Sequence, residues 1–109
     1  MIGARDRRRR RREAVTPDVI EVDLNTVRTP MELHVLLWNR LQFPSYYGRN
    51  WDAFWDCITD PEQSSMPHVL RLRGWDILRN RLPKDARLLR ETLERLPSLR
   101  TDISVEWID

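Results

Sequence analysis

Only one cysteine, Cys57, occurs in the 109 residues, so no internal disulfide can form and no cysteine cluster can hold zinc. Histidine is almost as scarce. His34 and His68 are far apart in sequence and lie at no ligand spacing, so no metal site is expected. No apolar run approaches the roughly 20 residues of a membrane-spanning helix, so no membrane association is expected. Basic residues open the chain without an apolar stretch behind them, which is not the pattern of a secretory signal. A cytoplasmic location follows as the expectation. Internal repeats are absent, and nothing in the composition calls for a cofactor.

At 109 residues with 40% apolar content, the chain suits one domain with a modest core. The net charge of +2 averages two unlike parts. ARDRRRRRREA (4–14) has seven arginines against Asp6 and Glu13, a balance of +5, which leaves −3 for the chain from Val15 onward. Such a block has too few apolar groups to offset the entropy of ordering it. We therefore expect a disordered Arg-rich tail over 1–14 and a folded domain over 15–109. Any contact with nucleic acid would run through that tail and its phosphate-type charge contacts.

Three segments of the body alternate with period two, as half-buried strands do. VIEVDL (19–24) sets Ile20, Val22 and Leu24 against Glu21 and Asp23; HVLRLRG (68–74) sets Leu70 and Leu72 against Val69, Arg71 and Arg73. DISVEWI (102–108) sets Ile103, Val105 and Trp107 against Ser104 and Glu106. Helical patterns fill the gaps. Thr29 is placed to cap a helix that has Pro30 at its first position, Glu32 three residues after the cap, and a stripe of Leu33, Leu36, Leu37 and Leu41. A second helix is expected from about Asn50 to Asp60, a short one over 75–82, and a fourth over 84–96 with Leu89, Leu93 and Leu96 in register. The order β-α-α-β-α-α-β, with crossovers long enough for parallel pairing, predicts an α/β fold: a small two-layer domain with a three-stranded parallel sheet and about four helices. All-parallel sheets usually have both faces covered. The alternation here predicts one face left partly wet.

The second helix carries the chemistry. With about 100° of turn per residue, Trp51, Phe54, Trp55 and Ile58 share a face at core spacing, while Asp52, Asp56 and Thr59 share the neighbouring one. Trp55 borders both. Asp52 falls in the first turn after the expected cap Asn50, where the helix dipole favours a carboxylate by roughly 0.3–1 kcal/mol. Asp56 lacks that explanation: it is mid-helix, where aspartate is a poor former, and it repels Asp52 one turn away. A residue that breaks local rules twice points to function. Two carboxylates are too few for a metal, and an open helix face offers no pocket to raise a catalytic pKa. Cys57 falls on the far side of the helix, as a small core residue. Binding fits better than catalysis. Aromatic anchors beside desolvatable charges make a typical hot spot, and the preceding FPSYYGRN adds Tyr46, Tyr47 and Gly48, with Tyr47 the one assigned to core packing.

Over residues 44–59 the chain resembles the barstar family, intracellular inhibitors of secreted ribonucleases of the barnase type. The shared pattern is P-x-YYG-x-N-x-DA-[LF]-WDC-[LI]-T, here Pro44, Tyr46, Tyr47, Gly48, Asn50, Asp52, Ala53, Phe54, Trp55, Asp56, Cys57, Ile58 and Thr59. Over about 19–109 the likeness is one of element order, and the tail has none. The resemblance implies a non-enzymatic inhibitor, monomeric when free, that plugs a ribonuclease active site in a one-to-one complex. By position, Asp56 would take the place of an RNA phosphate, Asp52 would pair with an arginine at the rim, and Tyr46 would pack on the catalytic histidine. Gly48, Asn50, Trp55 and Thr59 would complete the surface. The chain departs from the pattern in four places: Arg95 stands where the family has an acidic last-helix residue, with Glu91 and Glu94 nearby. Arg49 also replaces an acidic residue, a tryptophan after the second helix is missing, and DPEQSSMP (60–67) makes an altered, longer loop. The alternative readings are a nucleic-acid-binding module acting through the tail, a barstar-like binder of some other partner, and a hydrolase using Asp52 and Asp56.

Overall fold

The computed structural model describes residues 17–109, so the expected tail over 1–14 and the boundary at Val15 lie outside the described residues. The elements are β1 (Val19–Asp23), α1 (Pro30–Leu41), α2 (Trp51–Thr59), β2 (Val69–Arg73), α3 (Trp75–Arg81), α4 (Pro83–Arg95), a 3-10 turn (Leu96–Ser98) and β3 (Ser104–Ile108). The strands pair in parallel in the order β1-β2-β3, with Val19 opposite Val69 and Val69 opposite Ser104. This is the α/β, β-α-α-β-α-α-β architecture expected. The strands and helices start and stop within two residues of their expected limits.

Parallel crossovers are right-handed almost without exception. Two of them stepping the same way across the sheet put all their helices on one face. That face buries Ile20, Val22, Leu70 and Leu72, with Val105 and Trp107 half-buried at the β3 edge. The other face is wet, and a charge ladder explains how it tolerates water. Glu21, Arg71 and Glu106 lie on one rung. Arg71 Nε donates to Glu106 Oε1 at 2.9 Å and its Nη1 lies 3.9 Å from Glu21, while Arg73 Nε donates to Glu21 at 2.9 Å. Opposite charges facing each other across strands are mutually stabilising. The hydrogen bond from Arg73, helped by the charges of Arg73 and Arg71, holds the Glu21 carboxyl below its ordinary range.

Local rules set the helix limits. Thr29 Oγ1 accepts the Glu32 N–H at 3.1 Å, and Glu32 Oε1 in turn accepts the N–H of Arg28 at 2.7 Å, so one orphan donor of α1 and the N–H just before its cap are satisfied. Between α3 and α4, Leu82 leaves the helical region (φ −133°, ψ 70°) because the ring of Pro83 crowds it. Leu89, Leu93 and Leu96 run fully buried down α4 and its following turn, as their spacing predicts. Gly74, just after β2, has φ +84°, and a Cβ there would come within 2.7 Å of Asn25 Oδ1. Only glycine fits this corner, where its N–H also ties β2 to the Ile108 carbonyl at 2.8 Å.

Helix α1 ends on Gln42, which is left-handed at φ 58° and sends its N–H to the Trp38 carbonyl. Glycine is the usual residue for such a cap. The left-handed region costs a residue with a Cβ about 1–2 kcal/mol, and glycine's extra freedom in the unfolded chain offsets about 0.4–1 kcal/mol of any gain. Gln42→Gly is therefore expected to stabilise the fold by about 0.5–1 kcal/mol, read as a higher urea midpoint with unchanged slope.

Candidate partner-binding surface

The two consecutive tyrosines separate at a turn. The Tyr47 N–H bonds to the Pro44 carbonyl at 3.0 Å, closing residues 44–47. Tyr47 is 4% exposed and Tyr46 is 73% exposed, which is the division of roles expected. Inside, the Tyr47 hydroxyl is 2.7 Å from His34 Nδ1, and its ring packs on Phe43 at 4.8 Å and Trp38 at 5.7 Å. The His34 ring in turn lies 4.5 Å from that of Trp51, whose Nε1–H donates to Asp85 Oδ1 at 3.2 Å. This chain of contacts ties the loop and α2 to α1 and α4. Outside, Tyr46 reaches toward Gln63 Oε1 at 3.4 Å. Gln63 Nε2 is itself fixed by Asp60 Oδ2 at 2.8 Å, and that hydrogen bond is the main reason the Asp60 carboxyl sits below its usual range.

Asn50 caps α2, its Oδ1 accepting the Ala53 N–H at 2.7 Å and its Nδ2 donating to the Gly48 carbonyl at 3.3 Å. Gly48 is close to this cap: a Cβ would meet Asn50 Nδ2 at 3.2 Å and Ala53 Cβ at 3.4 Å. The positive φ of the loop falls on Arg49 instead, at 55°. Along α2, Phe54, Cys57 and Ile58 are buried, Trp51 and Trp55 half-buried, and Asp52 and Asp56 exposed. The tryptophans are thus wetter than their wheel positions suggest, because Trp51 leans on His34 and Trp55 lies at the rim. The Cys57 thiol is pushed up chiefly by burial, and then by Asp56 and Asp60, so it is a core group and not a nucleophile. Thr59 Oγ1 donates back to the Trp55 carbonyl at 2.8 Å.

Tyr46, Gly48, Asn50, Asp52, Trp55, Asp56 and Thr59 therefore lie on one continuous stretch formed by the loop and α2. Their polar groups are not equally available. Those of Asn50 and Thr59 are engaged within the chain, whereas the side-chain carboxylates of Asp52 and Asp56 accept no hydrogen bond and form no ion pair among the described residues. Arg95, from the last turn of α4, lays its guanidinium over the Trp55 ring with Cζ 4.2 Å from the centroid. No group of three or more His, Cys, Asp or Glu comes together among the described residues, and no helix of theirs is long and apolar enough to cross a membrane. Sequence reasoning missed His34 and Asp85. His34 shares the i, i+3, i+7 spacing of Leu37 and Leu41, which is a core signal; Asp85 had none.

A family model described as Barstar (barnase inhibitor) matches residues 18–107. The chain belongs to the barstar family. A protein of Bacillus subtilis (strain 168) named "Putative ribonuclease inhibitor YrdF" is 63% identical over 27 residues, 25% of this chain and 30% of that protein's length. The aligned stretch thus spans less than a third of that relative. The family model's description is that of an inhibitor of barnase, and the relative's name is that of a ribonuclease inhibitor.

The buried histidine gives the loop a pH limit. Burial lowers the His34 pKa below its ordinary 6.5, against a smaller opposing pull from Asp85. The unfolded chain then takes up the proton first, so stability is complete above about pH 6.5 and falls as the pH drops toward the folded-state value. Urea midpoints are expected to fall between pH 7.5 and 5.5 in the wild type. His34→Gln should flatten that part of the profile while lowering stability throughout.

Proposed function

We propose that residues 15–109 form an inhibitory domain that binds a barnase-like secreted ribonuclease one-to-one, with α2 and the loop before it occupying the enzyme's active site. A ribonuclease cleft is cationic because it must hold a polyanion and stabilise the charge developed in the reaction. A carboxylate fixed on a helix can stand in for a phosphate there and undergo no chemistry. Asp56 takes that place, Asp52 pairs with a rim arginine, and Tyr46 packs on the catalytic histidine. Gly48, Asn50, Trp55 and Thr59 form the surrounding contact. The observation that carries the reading is the exposure of Asp52 and Asp56 on one face of α2, without partners among the described residues, beside the open ring of Tyr46. The same exposure disfavours a hydrolase, since neither carboxyl has the apolar enclosure that a general acid needs.

Such an inhibitor acts in the cytoplasm, protecting its host from its own or a competitor's ribonuclease. Charge steering brings the acidic face to the cleft, and desolvation there makes each pair matter. Losing one partner of a buried interfacial charge pair costs roughly 2–5 kcal/mol or more, a range for which the barnase–barstar complex itself is a source. Asp56→Ala should therefore weaken binding by roughly 30-fold to several thousand-fold, measured by titrating inhibition of the ribonuclease captured from host or neighbouring secretions. Circular dichroism should show α2 intact. Wild-type affinity in that variant would reject the interface.

A further inference from the structure

We infer that Arg95 is a specificity-determining residue of this surface, one that selects a ribonuclease with a carboxylate on the part of its cleft rim that faces α4. The inference rests on the inhibitory reading of α2 and adds the chemistry of the target. Helix α4 packs against α2, and its last turn brings the Arg95 guanidinium onto the Trp55 ring at 4.2 Å. Trp55 is the neighbour of Asp56 and borders the acidic stripe. A positive charge thus stands at the edge of the acidic stripe of α2.

Among the described residues that charge forms no ion pair. Glu91, one turn earlier on α4, forms no ion pair with Arg95, and neither do Asp52 or Asp56 among the described residues. Arg90 on the same helix behaves differently: it lies over Trp75 and Trp107 at 5.3 and 5.0 Å and is paired with Glu94 at 3.0 Å. A basic residue in the last turn suits the helix dipole wherever it points. What the dipole does not dictate is the stacking, which fixes the planar guanidinium on Trp55, at the border of the acidic stripe, with the side chain exposed. Against a cleft that is cationic throughout, this group is repelled; against a rim carboxylate it forms a charge-assisted pair.

Barnase serves as the probe with a cationic cleft. Its inhibition is titrated with the full chain, Arg95→Ala, Arg95→Glu and Asp56→Ala, at low and at moderate salt. We expect Arg95→Glu to inhibit at least about tenfold more tightly than the wild type, with Arg95→Ala in between and the gap narrowing as salt rises. If Asp56→Ala weakens inhibition while both Arg95 variants match the wild type, or Arg95→Glu weakens it, the specificity role is overturned and the acidic-face reading stands. If Asp56→Ala has no effect, or if neither the wild type nor Arg95→Glu inhibits, the acidic-face reading falls and the specificity role with it.

Discussion

Helix α2 can present its aspartates to solvent only because Phe54, Cys57 and Ile58 occupy the core at the same time. A helix of 9 residues has too few turns to be stable alone, so its rotation is set by what it buries. Rotating it by one residue would pull Phe54 away from Phe43 and carry Asp56 toward the core. Either move costs several kcal/mol, through lost burial or an unpaired buried charge. The direction of the acidic stripe is therefore as firmly fixed as the core itself. The Tyr47–His34–Trp51–Asp85 chain does for the loop what the apolar residues do for the helix: it pins one tyrosine so that its neighbour must face outward.

Much of this was legible in the sequence because the decisive patterns are short-range. Period-two alternation gave the strands and their single dry face; Thr29-Pro30 and Asn50 gave the helix starts; the aspartates' unfavourable spacing marked them as exposed and unusual. What was hidden depends on residues distant in sequence. Asp85 lies 34 residues from Trp51, and nothing local tells either that it has a partner. The ladder of Glu21, Arg71 and Glu106 depends on strand register, and register emerges only when three strands are aligned. The left-handed residues show a different limit. Gln42 and Arg49 adopt positive φ although neither is a glycine or an asparagine, so tertiary contacts there override local preference. Gly48, the glycine of this loop, does not take that geometry; a Cβ there would sit 3.2 Å from Asn50 Nδ2 of the cap.

The chain handles its charges in two ways, and the contrast separates structure from function. On the open sheet face, carboxylates and guanidiniums alternate within hydrogen-bonding distance, so their fields cancel at short range and the face is close to neutral. On α2, by contrast, Asp52 and Asp56 lie one turn apart and form no ion pair among the described residues, even with the Arg95 guanidinium stacked on Trp55 at their border. Keeping them apart from partners costs little while water solvates them: like charges at that spacing cost a few tenths of a kcal/mol, roughly as much as an opposite pair would gain. The expense comes only when a partner displaces the water, and then only a cationic surface of matching shape can offset it. Two exposed carboxylates on a rigid, buried-edge helix therefore bind weakly to nearly everything and strongly to very little. A flexible acidic loop with the same charge would have to be ordered on contact, losing rotamer and backbone freedom for each residue fixed. Here that ordering is complete before any encounter, because the same residues that build the core have already set the positions of the acids.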